Sequence, residues 1–224
     1  MHFLTPAETE ALALSIRVAG VATLVALPLA FALAYVLARA RFAGRFLLEI
    51  LIYLPLVLPP VVTGWALLIA FGRGGPLAWA GRWIVFQWTG AALAAAIMAF
   101  PLMVRAVRLA LDAVDLRLEQ AARSLGASRA RVFATITLPL AAPGVIAGAV
   151  LGFAKALGEF GATITFVGSV PGETRTLPLA IYGALQSPDG ERSVLRLALL
   201  SVALSVVALG GAELLARRAR TRAL

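Results

Sequence analysis

Five long apolar segments dominate the chain, at approximately 12–38, 47–71, 84–109, 143–167 and 194–215. Each matches or exceeds the ~20 residues that a helix rising ~1.5 Å per residue needs to cross a hydrocarbon core, with slack for tilt. Lipid offers no partner to an exposed backbone N–H or C=O, so each segment is expected to be a helix. The ten-residue alternation that marks the strands of an outer-membrane barrel is absent. The segments predict an all-α, polytopic membrane protein with about five transmembrane helices, one transmembrane domain over residues 1–224.

Composition agrees. Charged residues make up 14% of the chain and the mean hydropathy is +0.93, whereas a soluble domain carries roughly 25% charged residues. So few charges cannot cover a water-exposed surface, and lipid must cover much of it. There is no cysteine and a single histidine, His2. That excludes a disulfide framework, thiolate metal sites, thiol catalysis and a histidine-based triad. The net charge of +9 reads as basic flanks of membrane spans. No aromatic and basic platform for nucleic acid accompanies it. The acidic start and the length of the first apolar run argue against a cleavable signal peptide.

Arginine gives the spans a direction. Arg39, Arg41 and Arg45 follow the first segment; Arg105, Arg108, Arg117, Arg123, Arg129 and Arg131 follow the third; Arg217, Arg218, Arg220 and Arg222 end the chain. The opposite loops hold Arg73, Arg82, Arg175 and Arg192. The richer side is expected to be cytoplasmic, with the N-terminus outside and the C-terminus inside.

Prolines 28, 55, 59, 60 and 101 fall inside spans. Such residues either shape packing or open kinks and hinges. Gly144, Gly148 and Gly152 recur every four residues and read as a close-packing face. Arg17, Glu49, Arg196 and Glu213 lie near span ends, where they can snorkel. Lys155 and Glu159 fall mid-segment, four residues apart, where they can pair on one helix face. They are a neutralised structural pair, or they line a subunit interface or a path.

The cytoplasmic stretch from Asp112 to Pro143 is the most polar long segment and reads as short helices. Leu118, Ala121, Ala122 and Leu125 recur at helical spacing and make one apolar face. Gly126 can end that helix in a left-handed turn and Ser128 can cap the next. Pro139 and Pro143 are then expected to set the entry into the fourth span. A helix–glycine–helix at the membrane surface is either an ordinary interfacial loop or an element that fills a groove on a cytoplasmic partner.

Gln120-Ala121-Ala122, then Gly126, then Ile136-Thr137-Leu138-Pro139 resemble the EAA loop of ABC importer permeases. Gln120 stands where that motif usually has glutamate, and Glu119 precedes it; either is expected to bond to a partner. The runs Leu54–Val62, Phe100–Arg105 and Leu157–Val167, with Pro171–Pro178, are similar to molybdate permeases, and the likeness extends from about residue 12 to 215.

The resemblance implies the type I, MetI-like permease fold in the cytoplasmic (inner) membrane. It also implies a homodimer with two ABC ATPase subunits and an extracytoplasmic binding protein. No G-x-x-x-x-G-K-[ST] loop is present, so ATP and magnesium are expected to belong to the ATPase, with no cofactor, metal or catalytic residue in this chain. The coupling residues implied are Glu119, Gln120, Ala121, Ala122, Gly126, Ile136, Leu138 and Pro139. For a tetrahedral dianion, Thr163, Thr165, Ser169, Thr174 and Thr176 supply hydroxyls and Arg175 supplies positive potential at the outer side. Alternatively, Thr163 and Thr165 bond their own helix backbone. Sulfate or tungstate remain alternatives as cargo. An ion-coupled secondary transporter is a weaker one, since no repeat is evident and Glu159 is the only deep carboxylate.

Overall fold

A computed structural model describes the backbone of residues 4–223; side chains at 209, 212, 213 and 215–223 lie outside the description, and with them Glu213 and the arginines of the tail. Every regular element among the described residues is helical: α1 (Pro6–Arg39), α2 (Arg45–Val57), α3 (Pro60–Phe71), α4 (Ala78–Ile84), α5 (Trp88–Asp112), α6 (Leu116–Ser124), α7 (Arg129–Val132), a π-helical turn (Phe133–Thr137), α8 (Leu138–Leu157), α9 (Gly161–Val167), α10 (Leu177–Leu185) and α11 (Glu191–Ala223).

The first helix starts where local chemistry directs it. Thr5 and Glu8 form a reciprocal capping box, and Pro6 takes the first helical position, where its missing N–H costs nothing. Most of its buried residues are small, among them Ala11, Ser15, Ala19, Ala22, Ala26, Ala30 and Ala34. Leu24, Val25 and Leu29 are exposed on the other side. Without water to drive helices together, small residues allow the close approach that holds them in lipid. α1 packs on α5, which answers with Ala91, Ala94, Ala95 and Ala99, all fully buried.

α8 packs on α5 as well, and also touches α1, so the three helices meet one another. A Cβ on Gly144 would strike Ala110, and one on Gly152 would strike Met103. The four-residue glycine spacing thus lets α8 lie directly on α5.

Two apolar segments are broken, unlike the single helices expected of them. The segment 47–71 is two helices, α2 and α3, meeting at 111°. Pro59 disfavours helical geometry at Leu58, and Pro60 does the same at Pro59; both adopt extended backbone, and Pro60 then opens α3. The segment 143–167 breaks at Gly158–Phe160, leaving α9 as a separate short helix. The two half-helices meet. Gly64 of α3 sits against the Ala162 backbone and Thr165, and Gly161 sits against Pro60.

The fourth span also begins earlier than expected. Its helix runs without interruption from Arg129 to Leu157, 29 residues, so Pro139 and Pro143 lie inside it and do not mark its entry. The π-helical turn accounts for this. Leu138 N–H bonds to the Phe133 carbonyl five residues back, and that local widening accommodates the proline that follows. Edge-to-face contacts of Phe133 with Phe31 and Tyr35 hold the turn against α1, at 6.0 and 5.6 Å between ring centroids.

Three described helices are long and apolar enough to cross a membrane, and the bent α2–α3 pair supplies a fourth candidate. The fifth expected segment, 194–215, lies within α11. The charges near span ends find partners. Arg17 stacks on Trp88 at 3.7 Å, Glu49 accepts from Arg45 and Arg108 at 3.1 and 3.0 Å, and Arg196 donates to Glu8 at 2.8 Å.

Candidate functional site

The loop between α5 and α8 is built by explicit caps. Asp115 accepts from the Arg117 N–H at 2.9 Å and starts α6. Gly126 ends it at φ +85°, with Ala127 N–H bonded to the Ala122 carbonyl at 3.0 Å and Gly126 N–H to the Arg123 carbonyl at 2.9 Å. This paired closure needs a left-handed residue, which glycine adopts without strain. The Ser128 hydroxyl then accepts from Arg131 N–H and opens the long helix.

The two sides of α6 do different things. Outward lie Leu118, 48% exposed, and Leu125, 89% exposed, with Gln120 and Ala121 also exposed. Leu118, Ala122 and Leu125 share a cavity of about 520 Å³ with Thr135, Ile136, Pro139 and Leu140 of the long helix. So the structure gathers Ala122, Ile136 and Pro139 of the motif, residues far apart in sequence, around one apolar hollow. Leu138 is exposed beside it.

Inward lies Glu119, 5% exposed. Its Oε1 accepts from Arg39 Nη2 and from the Thr137 hydroxyl, both at 2.9 Å, and Arg123 approaches Oε2 at 3.7 Å. Of the two residues expected to offer a bond to a partner, Glu119 is consumed within the chain and Gln120 is left outward. One carboxylate thus ties α6 to the end of α1 and to the π-helical turn. Arg39 and Thr137 were not singled out as site residues. Arg39 read only as a topology signal, and Thr137 only as part of the motif.

In the fourth segment, Lys155 and Glu159 do pair, at 2.5 Å. They do not share a helix face, because Glu159 lies in the break after α8. Its other oxygen accepts from Ala162 N–H at 3.1 Å and so caps α9. Glu159 is 3% exposed, while the Lys155 side chain keeps 30% exposure.

Three of the hydroxyls selected for an anion path, those of Thr165, Ser169 and Thr174, are turned to local work. Thr165 donates to the Gly161 carbonyl at 2.9 Å, the backbone alternative. Thr163 is buried, at 1% exposure. Thr174 accepts from Val170 N–H at 2.9 Å, and Arg175 donates to the Ser169 hydroxyl at 3.2 Å, so these three residues tie the loop between α9 and α10 to itself. The Thr176 hydroxyl is buried without a partner.

Comparison with known proteins places this geometry. The model for the binding-protein-dependent transport system inner membrane component matches residues 26–221. The chain is 54% identical to the molybdenum transport system permease protein ModB of Escherichia coli K12, over 98% of both chains. It is 51% identical to ModB of Haemophilus influenzae, over 94% of both. The crystal structure of a bacterial ABC transporter involved in alginate import superposes with a TM-score of 0.75 at 19% identity, covering 96% of this chain and 81% of that one, and so shares the fold. A helical membrane chain with an apolar hollow built on this motif, matched over nearly its whole length, belongs to the binding-protein-dependent transport system inner membrane component family.

Proposed function

We propose that the chain is the membrane-spanning permease subunit of an ATP-driven importer of molybdate. It works as two copies about a twofold axis, with two ATPase subunits below and an extracytoplasmic binding protein above. Near end-to-end identity with molybdenum permeases supports the cargo, and the arginine bias supports a cytoplasmic C-terminus. ATP and magnesium act on the ATPase; this chain supplies motion, not hydrolysis.

The exposed apolar hollow of α6 is the observation that carries the reading. An amphipathic helix with unpartnered leucines at helical spacing is an anchor for a groove on another protein. α6 is clamped through Glu119 to α1 and to the long helix at its π-helical turn, and that helix continues to Leu157. A shift of α6 therefore moves two spans directly, with no slack loop between the ATPase and the membrane. Such a rigid lever suits alternating access, in which closure of the ATPases below redirects a path between the two permeases.

Reconstitution of the chain with its ATPase and binding protein in vesicles tests this. Uptake of molybdate that requires ATP and exceeds uptake of sulfate is the expected result. Uptake without ATP would overturn the class, and preference for sulfate would overturn the cargo.

A further inference from the structure

A second cavity, of about 400 Å³, lies between the end of α1, the start of α2 and α6. Its polar lining is Tyr35, Arg39, Arg41, Arg45, Glu119 and Arg123: four guanidinium groups and one carboxylate. That carboxylate already serves Arg39 at 2.9 Å and Arg123 at 3.7 Å. Arg45 shares Glu49 with Arg108. Arg41 is exposed and has no carboxylate partner among the described residues. The Arg39 Nε–H is buried with no acceptor.

A topology bias accounts for arginines on this side of the membrane. It does not account for four of them around one cavity, nor for a buried donor left unpaired, which is costly. Guanidinium forks match the oxygens of a tetrahedral oxyanion, so an anion placed here would relieve both the excess charge and the orphaned donor. A neighbouring hollow that shares Arg45 with the cavity is lined by open aromatic side chains: Phe42 and Phe46 are 41% and 76% exposed. An acyl chain needs such a hollow and a free ion does not.

We propose that this cavity binds a phosphate-type oxyanion, and that its occupant is the headgroup of an anionic phospholipid of the cytoplasmic leaflet. Basic pockets between membrane helices at this depth are suited to such headgroups. The lipid neutralises the charge left over by Glu119 and holds the α1–α2 turn against α6. It thereby makes the lever sensitive to the anionic lipid around it. The site does not depend on the cargo, and binding is read without transport.

Native mass spectrometry of the full-length chain in detergent, titrated with phosphatidylglycerol or phosphatidylcholine, gives the test. Phosphatidylglycerol should be retained and phosphatidylcholine lost. Arg41→Gln, at an exposed side chain without a carboxylate partner, should weaken retention about fivefold, and Arg41→Gln with Arg123→Gln about thirtyfold, the changes that correspond to one and two arginines beside an anionic headgroup. Arg41→Lys should largely restore it, and Arg73→Gln, on the opposite side by the arginine pattern, should leave it unchanged. Equal retention by the double variant and the parent overturns the site. Displacement of phosphatidylglycerol by inorganic phosphate or molybdate at matched concentration overturns the lipid assignment in favour of a free oxyanion.

Discussion

Replacing Glu119 by alanine should undock α6 from α1 without touching the surface that α6 offers to a partner. The substitution removes the charge-assisted hydrogen bond from Arg39, worth about 1.5–3 kcal/mol, and the hydrogen bond from Thr137, worth about 1 kcal/mol. It also leaves the Arg39 guanidinium, 16% exposed, without its counter-charge. Breaking a fully buried pair from one side costs about 3–5 kcal/mol. The residual exposure of Arg39 and the nearby Arg123 place this case at the lower end, so we expect about 3 kcal/mol, or roughly a hundredfold in the docking equilibrium. Amide hydrogen exchange over residues 116–124 in the membrane-embedded protein reads that equilibrium directly. Thr137→Val removes only the weaker bond and should accelerate exchange about fivefold. Molybdate carried per ATP should fall in the same order, while the ATPase still co-purifies, because Leu118 and Leu125 remain in place. Exchange unchanged in Glu119→Ala, or faster in Thr137→Val than in Glu119→Ala, would refute the clamp.

Gly126→Asp should strain the left-handed turn by about 1–2 kcal/mol and reduce co-purification of the ATPase, with insertion into the membrane unaffected. Gly152→Leu forces a side chain into Met103 and should abolish accumulation of the folded permease, whereas Gly183→Ala, where a Cβ meets open space, should not. Lys155→Met strands the buried Glu159 and should lower thermal stability by the equivalent of about 3 kcal/mol. Adding Glu159→Gln, which keeps an acceptor for Ala162 N–H, should recover much of that; strictly additive losses would exclude a self-contained pair.

Features governed by local chemistry were the legible ones. The caps at Gly126 and Ser128 depend on residues at most a few positions apart. So does the small-residue face of Gly144, Gly148 and Gly152, although what fills it comes from α5. The apolar periodicity of α6 was visible too, and it marks the side on which Leu118 and Leu125 are exposed. The breaks were only half legible. Pro59 and Pro60 announced a disturbance, but packing and hinge readings were equally open, and a 111° bend needs a second body to rest on. That body is α9, whose own boundary came from a carboxylate capping its start. The early start of the fourth span was hidden because Pro139 looked like a boundary and the π-helical turn that tolerates it carries no sequence mark of its own.

Glu119 separates the two kinds of knowledge. Its sequence position, beside Gln120 and the two alanines, determined that a carboxylate sits on α6. Hydrophobicity, charge bias and motif spacing are properties read along one dimension, and they determined the membrane class, the expected direction of the spans and the family. Which way that carboxylate faces was decided by Arg39, 80 residues away, and Thr137, 18 residues on. Only packing α1 against the loop brings those donors within hydrogen-bond reach. A charge is buried when the fold supplies partners for it, and that supply is a property of the assembled chain.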